Sequence, residues 1–162
     1  MANELIVSNS DDELQIAILD DRRLVEFHRE KRNNLFSVGD IFLGKVRQIK
    51  PTLNAAFVDI GYNRDAFLHY TDLGPQFQTL NRYVKSVLAS RSNITPLSKI
   101  QTHDHIHKLG KIDDILKINQ VVLVQITKEA ISTKGQRLQS QLSIAGEYLI
   151  LLPFGEDVSV FI

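Results

Sequence analysis

Hydrophobic and polar residues alternate with a period of two through most of this chain, which predicts strands rather than helices. "NELIVSN" and "ELQIAILDD" read as two short strands joined by the polar turn "SNSDD". "RLVEFHRE" extends them as a third after the tight turn "DDR", making a small meander. A second unit starts at "SVGDIFLGKVRQIKP", where Phe42, Gly44 and Val46 alternate with Leu43, Lys45 and Arg47 until Pro51 ends the strand. A glycine inside a strand marks a bend or a close backbone approach, as small closed barrels require. "LNAAFVDIG" and "RDAFLHY" follow as strands joined by a short connection. The period then changes: Phe77, Leu80, Val84, Val87 and Leu88 form a helical stripe in "PQFQTLNRYVKSVLASRS". Residues 93–111 read as loop. "INQVVLVQITKE" is the clearest strand. "QRLQSQLSI" is a half-exposed one, with Arg137, Gln139, Gln141 and Ser143 opposite Leu138, Ser140, Leu142 and Ile144. "EYLILLPF" is continuously apolar, as expected of a strand buried on both faces.

The middle unit therefore has five strands with a helical insertion between the third and fourth. That order suits a five-stranded Greek-key barrel of the OB type, which binds nucleic acid on an exposed sheet face. The apolar run "LLPFGEDVSVFI" at the end, with no polar tail, leads to the expectation that the chain is a piece of a longer protein.

Charge narrows the choices. Nineteen basic and nineteen acidic residues balance, so any nucleic-acid binding rests on local patches. Residues 1–21 carry six acids and no Lys or Arg, and residues 22–32 then carry five bases against two acids. Residues 78–118 carry seven bases against three acids, so these last two stretches are candidates to border an anionic ligand. There is no cysteine, which excludes disulfides, thiolate metal sites and a cysteine nucleophile in this chain. No apolar run reaches 18 residues and "MANELIVSNSDDE" lacks a secretory pattern, so a cytoplasmic protein without a membrane partner is expected.

Two aromatics stand out against this background. Phe57 shares its strand face with Ala55 and Asp59, and Phe67 shares its face with His69. Both rings thus lie on the more polar face, where a ring stacks on an unpaired base or, on the blander reading, packs under a loop. Lys45 and Arg47 share a face of the first barrel strand, placed to track phosphates or simply to discourage edge pairing. Lys128, Lys134 and Arg137 surround the turn "TKEAISTKGQR", in which Gly135 allows a tight backbone bend. His103, His105 and His107 share one face if extended, a possible divalent-metal set, but a polar loop is the favoured reading. Asp59, Asp65 and Asp72 are better explained by turn chemistry than by a two-metal site. No phosphate-binding glycine loop or nucleophile elbow is present.

In order, "NELIVSN…ELQIAILDD…LVEFHREK", "VGDIFLGKVRQIKPTLNAAFVDIGYNRDAFLHYTDL" and "VQITKEAISTKGQRLQSQLSIAGEYLILLP" resemble the amino-terminal part of the bacterial ribonuclease G and ribonuclease E family. The resemblance implies an S-one RNA-binding barrel of the OB type over residues 37–145, with 75–118 as a variable insertion. It implies that residues 1–36 and 146–162 are strands of a ribonuclease-H-like domain split by that barrel. It assigns Phe57, Phe67 and Lys134 to holding single-stranded RNA, while Lys45, Arg47, Lys128 and Arg137 remain further candidate contacts from their strand faces and the turn alone. The parent would be a magnesium-dependent single-strand endoribonuclease in rRNA maturation and mRNA decay, homo-oligomeric, with its catalytic carboxylates downstream. This chain would then hold no catalytic residue, no metal and no cofactor. The alternative is a stand-alone S-one module acting in translation. One departure is clear: Gly74 to Asn119 is longer and differently composed than the family leads one to expect.

Overall fold

The computed structural model describes residues 3–10, 13–31, 36–89, 100, 102–103 and 105–153. The chain divides into two compact units, Met1–Leu35 and Phe36–Ile162.

The first unit is a three-stranded antiparallel meander: β1 (Asn3–Asn9), β2 (Glu13–Asp20) and β3 (Arg23–Lys31). The β2–β3 turn has only two residues, Asp21 and Arg22, both with positive φ (45° and 65°). That is the backbone twist a two-residue hairpin demands, although neither residue is glycine. Register partners Ile6, Ala17 and Phe27 lie on one face, and Leu5, Val7, Ile16 and Ile18 lie on the other. Both faces are thus apolar at the centre of the sheet, the pattern of a strand layer covered on two sides.

The second unit is built on β4 (Ile41–Lys50), β5 (Ala55–Asp59), β6 (Ala66–His69), β7 (Val121–Lys128) and β8 (Arg137–Gln139). They close into a barrel in the order β4-β5-β6-β8-β7, parallel between β6 and β8 and antiparallel elsewhere. The protein is mainly β, with a closed five-stranded barrel of the OB type carrying one substantial helix between its third and fourth strands, as the alternation predicts. Inward-facing Val46, Ala56, Val58, Leu68, Val122, Val124, Ile126 and Leu138 fill it and are essentially inaccessible to water. Gly44 is part of this closure: a Cβ there would stand 2.5 Å from Val58 Cγ1.

Helix α1 (Phe77–Ala89) packs Leu80 and Val84 with Leu142 against Leu123, on the outside of β7. The histidine-rich loop is irregular where described, but it ends in a short helix that the residue pattern does not predict, α2 (Ile112–Ile115). Residues 90–99, 101 and 104 lie outside the described residues.

Two strands come out differently from the alternation. "QRLQSQLSI" is a ladder for only three residues, because Ser140 N–H then donates to the Asp72 carbonyl (2.7 Å) and Ser140 Oγ to Leu123 O (2.8 Å). The buried Gln125 side chain takes over from there, accepting from Ser143 N–H (2.9 Å) and donating to Gly39 O (2.9 Å) and Ser143 O (2.7 Å). In "EYLILLPF" none of the described residues, 147–153, is buried: among the described residues strand β10 (Ile150–Leu151) pairs only with β9 (Ile144–Ala145), and Tyr148 and Leu149 are almost fully exposed.

Candidate nucleic-acid interface

Register decides which outward-facing side chains of the barrel become neighbours. Gln48 pairs with Phe57, Phe57 with Phe67, Phe67 with Arg137 and Arg137 with Lys128. These five residues form one row across β4, β5, β6, β8 and β7, with adjacent strands about 4.8 Å apart. Phe57 and Phe67 are half-buried, and their rings meet edge to face with centroids 5.8 Å apart. Arg137 and Lys128 are exposed. A hydrophobic pair followed by two cations is chemically suited to a polyanion with flat apolar groups.

Two members of this neighbourhood are not evident from alternation. Gln48 enters the row because a β-bulge between Val46 and Gln48 shifts the register of β4 by one residue. Simple alternation puts Gln48 on the opposite face from Arg47, and nothing local marks the bulge. His69 lies over Phe67 with ring centroids 6.4 Å apart and planes at 27°, which lengthens the aromatic strip along β6. The Thr71 backbone N–H donates to His69 Nδ1 (3.2 Å), which holds the ring in place. The signal for His69 was present in the sequence, since it shares a strand face with Phe67.

The other cations are not equally free. Arg47 donates to the Asp59 carboxylate through Nε (3.1 Å) and Nη2. Arg137 is held in two-pronged fashion by Asp72, with Nε–Oδ2 at 3.0 Å and Nη2–Oδ1 at 3.2 Å. These aspartates thus orient arginines beside the row. Asp65, the third of the set, instead sets its backbone carbonyl against Gly135. Lys45 is exposed and pairs with Asp59 across β4 and β5. Lys134 stands outside the row, exposed on the turn between β7 and β8. That turn is closed by Lys134 N–H to Ile131 O (2.9 Å) and by its reciprocal (3.2 Å). Arg64 Nη1 ties the turn to the β5–β6 loop by donating to Ser132 O (2.6 Å).

The Asp59 carboxyl is held below its ordinary value of 3.8, first by the Gly61 backbone N–H and then by the Arg47 side chain. A depressed folded-state value means that this contribution is complete above the unfolded value. It is lost as pH falls through the lower folded one. Urea midpoints measured at about pH 5 and about pH 2.5 are therefore expected to differ by less in Asp59→Asn than in the parent chain. Equal differences in the two proteins would show that the pair contributes nothing.

Among the described residues, no three His, Asp or Glu side chains are grouped to hold a metal ion. The imidazoles of the histidine loop are engaged separately: His105 Nε2 with Gln76 (2.7 Å), and His107 Nδ1 accepting from Leu109 N–H (3.2 Å). No helix among them is long and apolar enough to cross a membrane.

The chain is similar to curated ribonucleases along almost its whole length. Ribonuclease G of Escherichia coli K12 is 29% identical over 160 residues, 99% of this chain. Ribonuclease E of Buchnera aphidicola is 32% identical over 154 residues, and ribonuclease E of Escherichia coli K12 is 31% identical over 153, each 94% of this chain. The chain is a relative of ribonucleases G and E. It spans 29% of the length of that ribonuclease G and 12–14% of the two ribonucleases E. No family model matches. The similarity to ribonuclease G, at 99% of this chain, takes in the β1–β3 meander and the β9–β10 hairpin as well as the barrel.

Proposed function

We propose that this chain is the RNA-gripping part of a ribonuclease G/E-type endoribonuclease that cuts single-stranded RNA, and that it is catalytically silent by itself. The observation that carries the reading is the Phe57–Phe67 pair with Arg137 and Lys128 in one cross-barrel row. Unpaired bases stack on the rings while the cations neutralise phosphates, which favours single strands over duplexes. Lys134, Lys45 and Arg47 add phosphate contacts around the row.

Residues 1–36 and 146–162 are, on this reading, parts of a ribonuclease-H-like domain interrupted by the barrel at 37–145. The two-sided apolar character of β1–β3 supports it, as do the exposed apolar side chains of the β9–β10 hairpin. The parent acts in the cytoplasm as a homo-oligomer on rRNA precursors and mRNA. Magnesium belongs to the catalytic carboxylates of the parent. The described residues offer no grouped donor set that fits it, so no cleavage step is derived from them. A stand-alone S-one module is disfavoured because the similarity runs through the flanking strands as well as the barrel.

The test mixes the chain with an end-labelled single-stranded RNA and magnesium, and reads anisotropy and a cleavage gel together. The expected result is binding that weakens with salt, without cleavage. Cleavage that survives rigorous purification would place an active site inside these residues and overturn the division of labour.

A further inference from the structure

The insertion between β6 and β7 returns to the barrel as a strap over the ends of the two strands that carry the aromatic rings. Asn54, in a left-handed conformation (φ 47°) just before β5, grips it from both sides. Its Nδ2 donates to Gly110 O (3.0 Å), and its Oδ1 accepts from Ile112 N–H (2.7 Å). Tyr70, just after β6, donates its hydroxyl to His107 O, and its own N–H bonds Asn54 O (2.9 Å). Ile112 and Leu116 are buried in the barrel core. The backbone from 107 to 112 is therefore fixed to the ends of β5 and β6, where Ala55 pairs with His69.

This strap carries Lys108 and Lys111, both exposed. Among the described residues neither is in an ion pair, whereas Arg47 and Arg137 share their charge with Asp59 and Asp72 while keeping further donors for a phosphate. Asp113 and Asp114 follow on α2, but with Lys117 the segment stays net positive. The strap and the Lys134 turn lie at opposite ends of β5 and β6, with the aromatic strip of Phe67 and His69 between them.

We propose that Lys108 and Lys111 bind the phosphates of an RNA strand leaving the aromatic row past His69. The insertion would thus lengthen the RNA track at the end of the barrel opposite Lys134. This rests on the RNA-binding reading above. A strand too short to reach past the rings gains nothing from the strap, while a longer one has two more of its phosphates neutralised.

The experiment titrates the whole chain with oligouridines of ~4 and ~12 nucleotides, a short and a long length within the range of single-strand sites on such folds, about 4–16 nucleotides. Lys108→Ala/Lys111→Ala is compared with Phe67→Ala across a salt series. For the longer strand, the double lysine variant is expected to reduce the salt slope by about 1.4. At ~0.1 M salt, affinity falls about fivefold for each phosphate that is no longer neutralised. The shorter strand is bound as before, and Lys108→Arg/Lys111→Arg keeps the parent slope. If Phe67→Ala weakens both strands while the lysine variant leaves the long-strand slope unchanged, the strap proposal falls and the RNA-binding reading stands. If the lysine variant weakens both strands equally, the lysines act at the rings and the proposed extension is wrong. If no variant changes binding, the RNA-binding reading itself fails and the proposal with it.

Discussion

Phe57→Ala and Phe67→Ala are each expected to weaken binding of single-stranded RNA by about 1–3 kcal/mol, roughly 5- to 150-fold. Each substitution removes one face on which a base stacks, and every base has such a face, so the loss is largely independent of sequence. The two effects will not add. The rings touch at 5.8 Å between centroids, and removing one also removes the edge that positions the other. The double variant therefore loses less than the sum of the two singles. Both side chains are only half-buried and their strands are anchored by Ala56, Val58, Ala66 and Leu68 facing inward, so the barrel should remain folded. Anisotropy titrations beside circular dichroism of each variant check this. Unchanged affinity in both folded single variants would remove the stacking platform from the account.

Gly135→Ala is expected to act on stability and on binding together. A Cβ at 135 would lie 2.3 Å from Asp65 O and 3.1 Å from Asp65 C, both backbone atoms that no rotamer change can move. Overpacking of this kind costs about 1–3 kcal/mol. The adjoining β6–β8 ladder has only two register pairs, Phe67 with Arg137 and Leu68 with Leu138, plus Phe67 N–H to Gln136 O at 2.7 Å. Strain at 135 is relieved most cheaply by moving β8 away from β6, which carries Arg137 out of the row and shifts the Lys134 turn. Urea unfolding should show a lower midpoint, and RNA binding should fall at least as far as in Lys134→Ala. A variant with parent-like stability would mean that the Asp65 backbone yields easily. Parent-like binding in a destabilised variant would mean that the position of β8 is unimportant for the ligand.

The cost at Gly135 illustrates what a linear reading misses. Alternation identifies a glycine in a turn and the cations around it, but not that a carbonyl from residue 65 occupies the space where a side chain would go. The same holds at Arg47 and Arg137. Their faces were legible, yet their aspartate partners lie 12 and 65 residues away in sequence. For "EYLILLPF" the composition predicts burial on both sides, and among the described residues its β10 strand meets only β9. Its apolar character therefore demands packing that those residues do not supply.

Much of the architecture follows from the order of residues alone. A period of two places strands at β1 to β7, a change of period places α1, and Phe57 and Phe67 fall on polar faces because side chains alternate along an extended backbone. These are local properties, set by the geometry of one strand or one helical turn. Tertiary structure decided everything that depends on register between distant strands. It brought Phe57 opposite Phe67, moved Gln48 into their row through a bulge, ended β8 after three residues and clamped the insertion onto Asn54 and Tyr70. A strand's own alternation decides which face each residue takes, and a short turn fixes the register of the two strands it joins, but pairing between strands far apart in the chain is chosen by the closure of the whole barrel and the packing of its core.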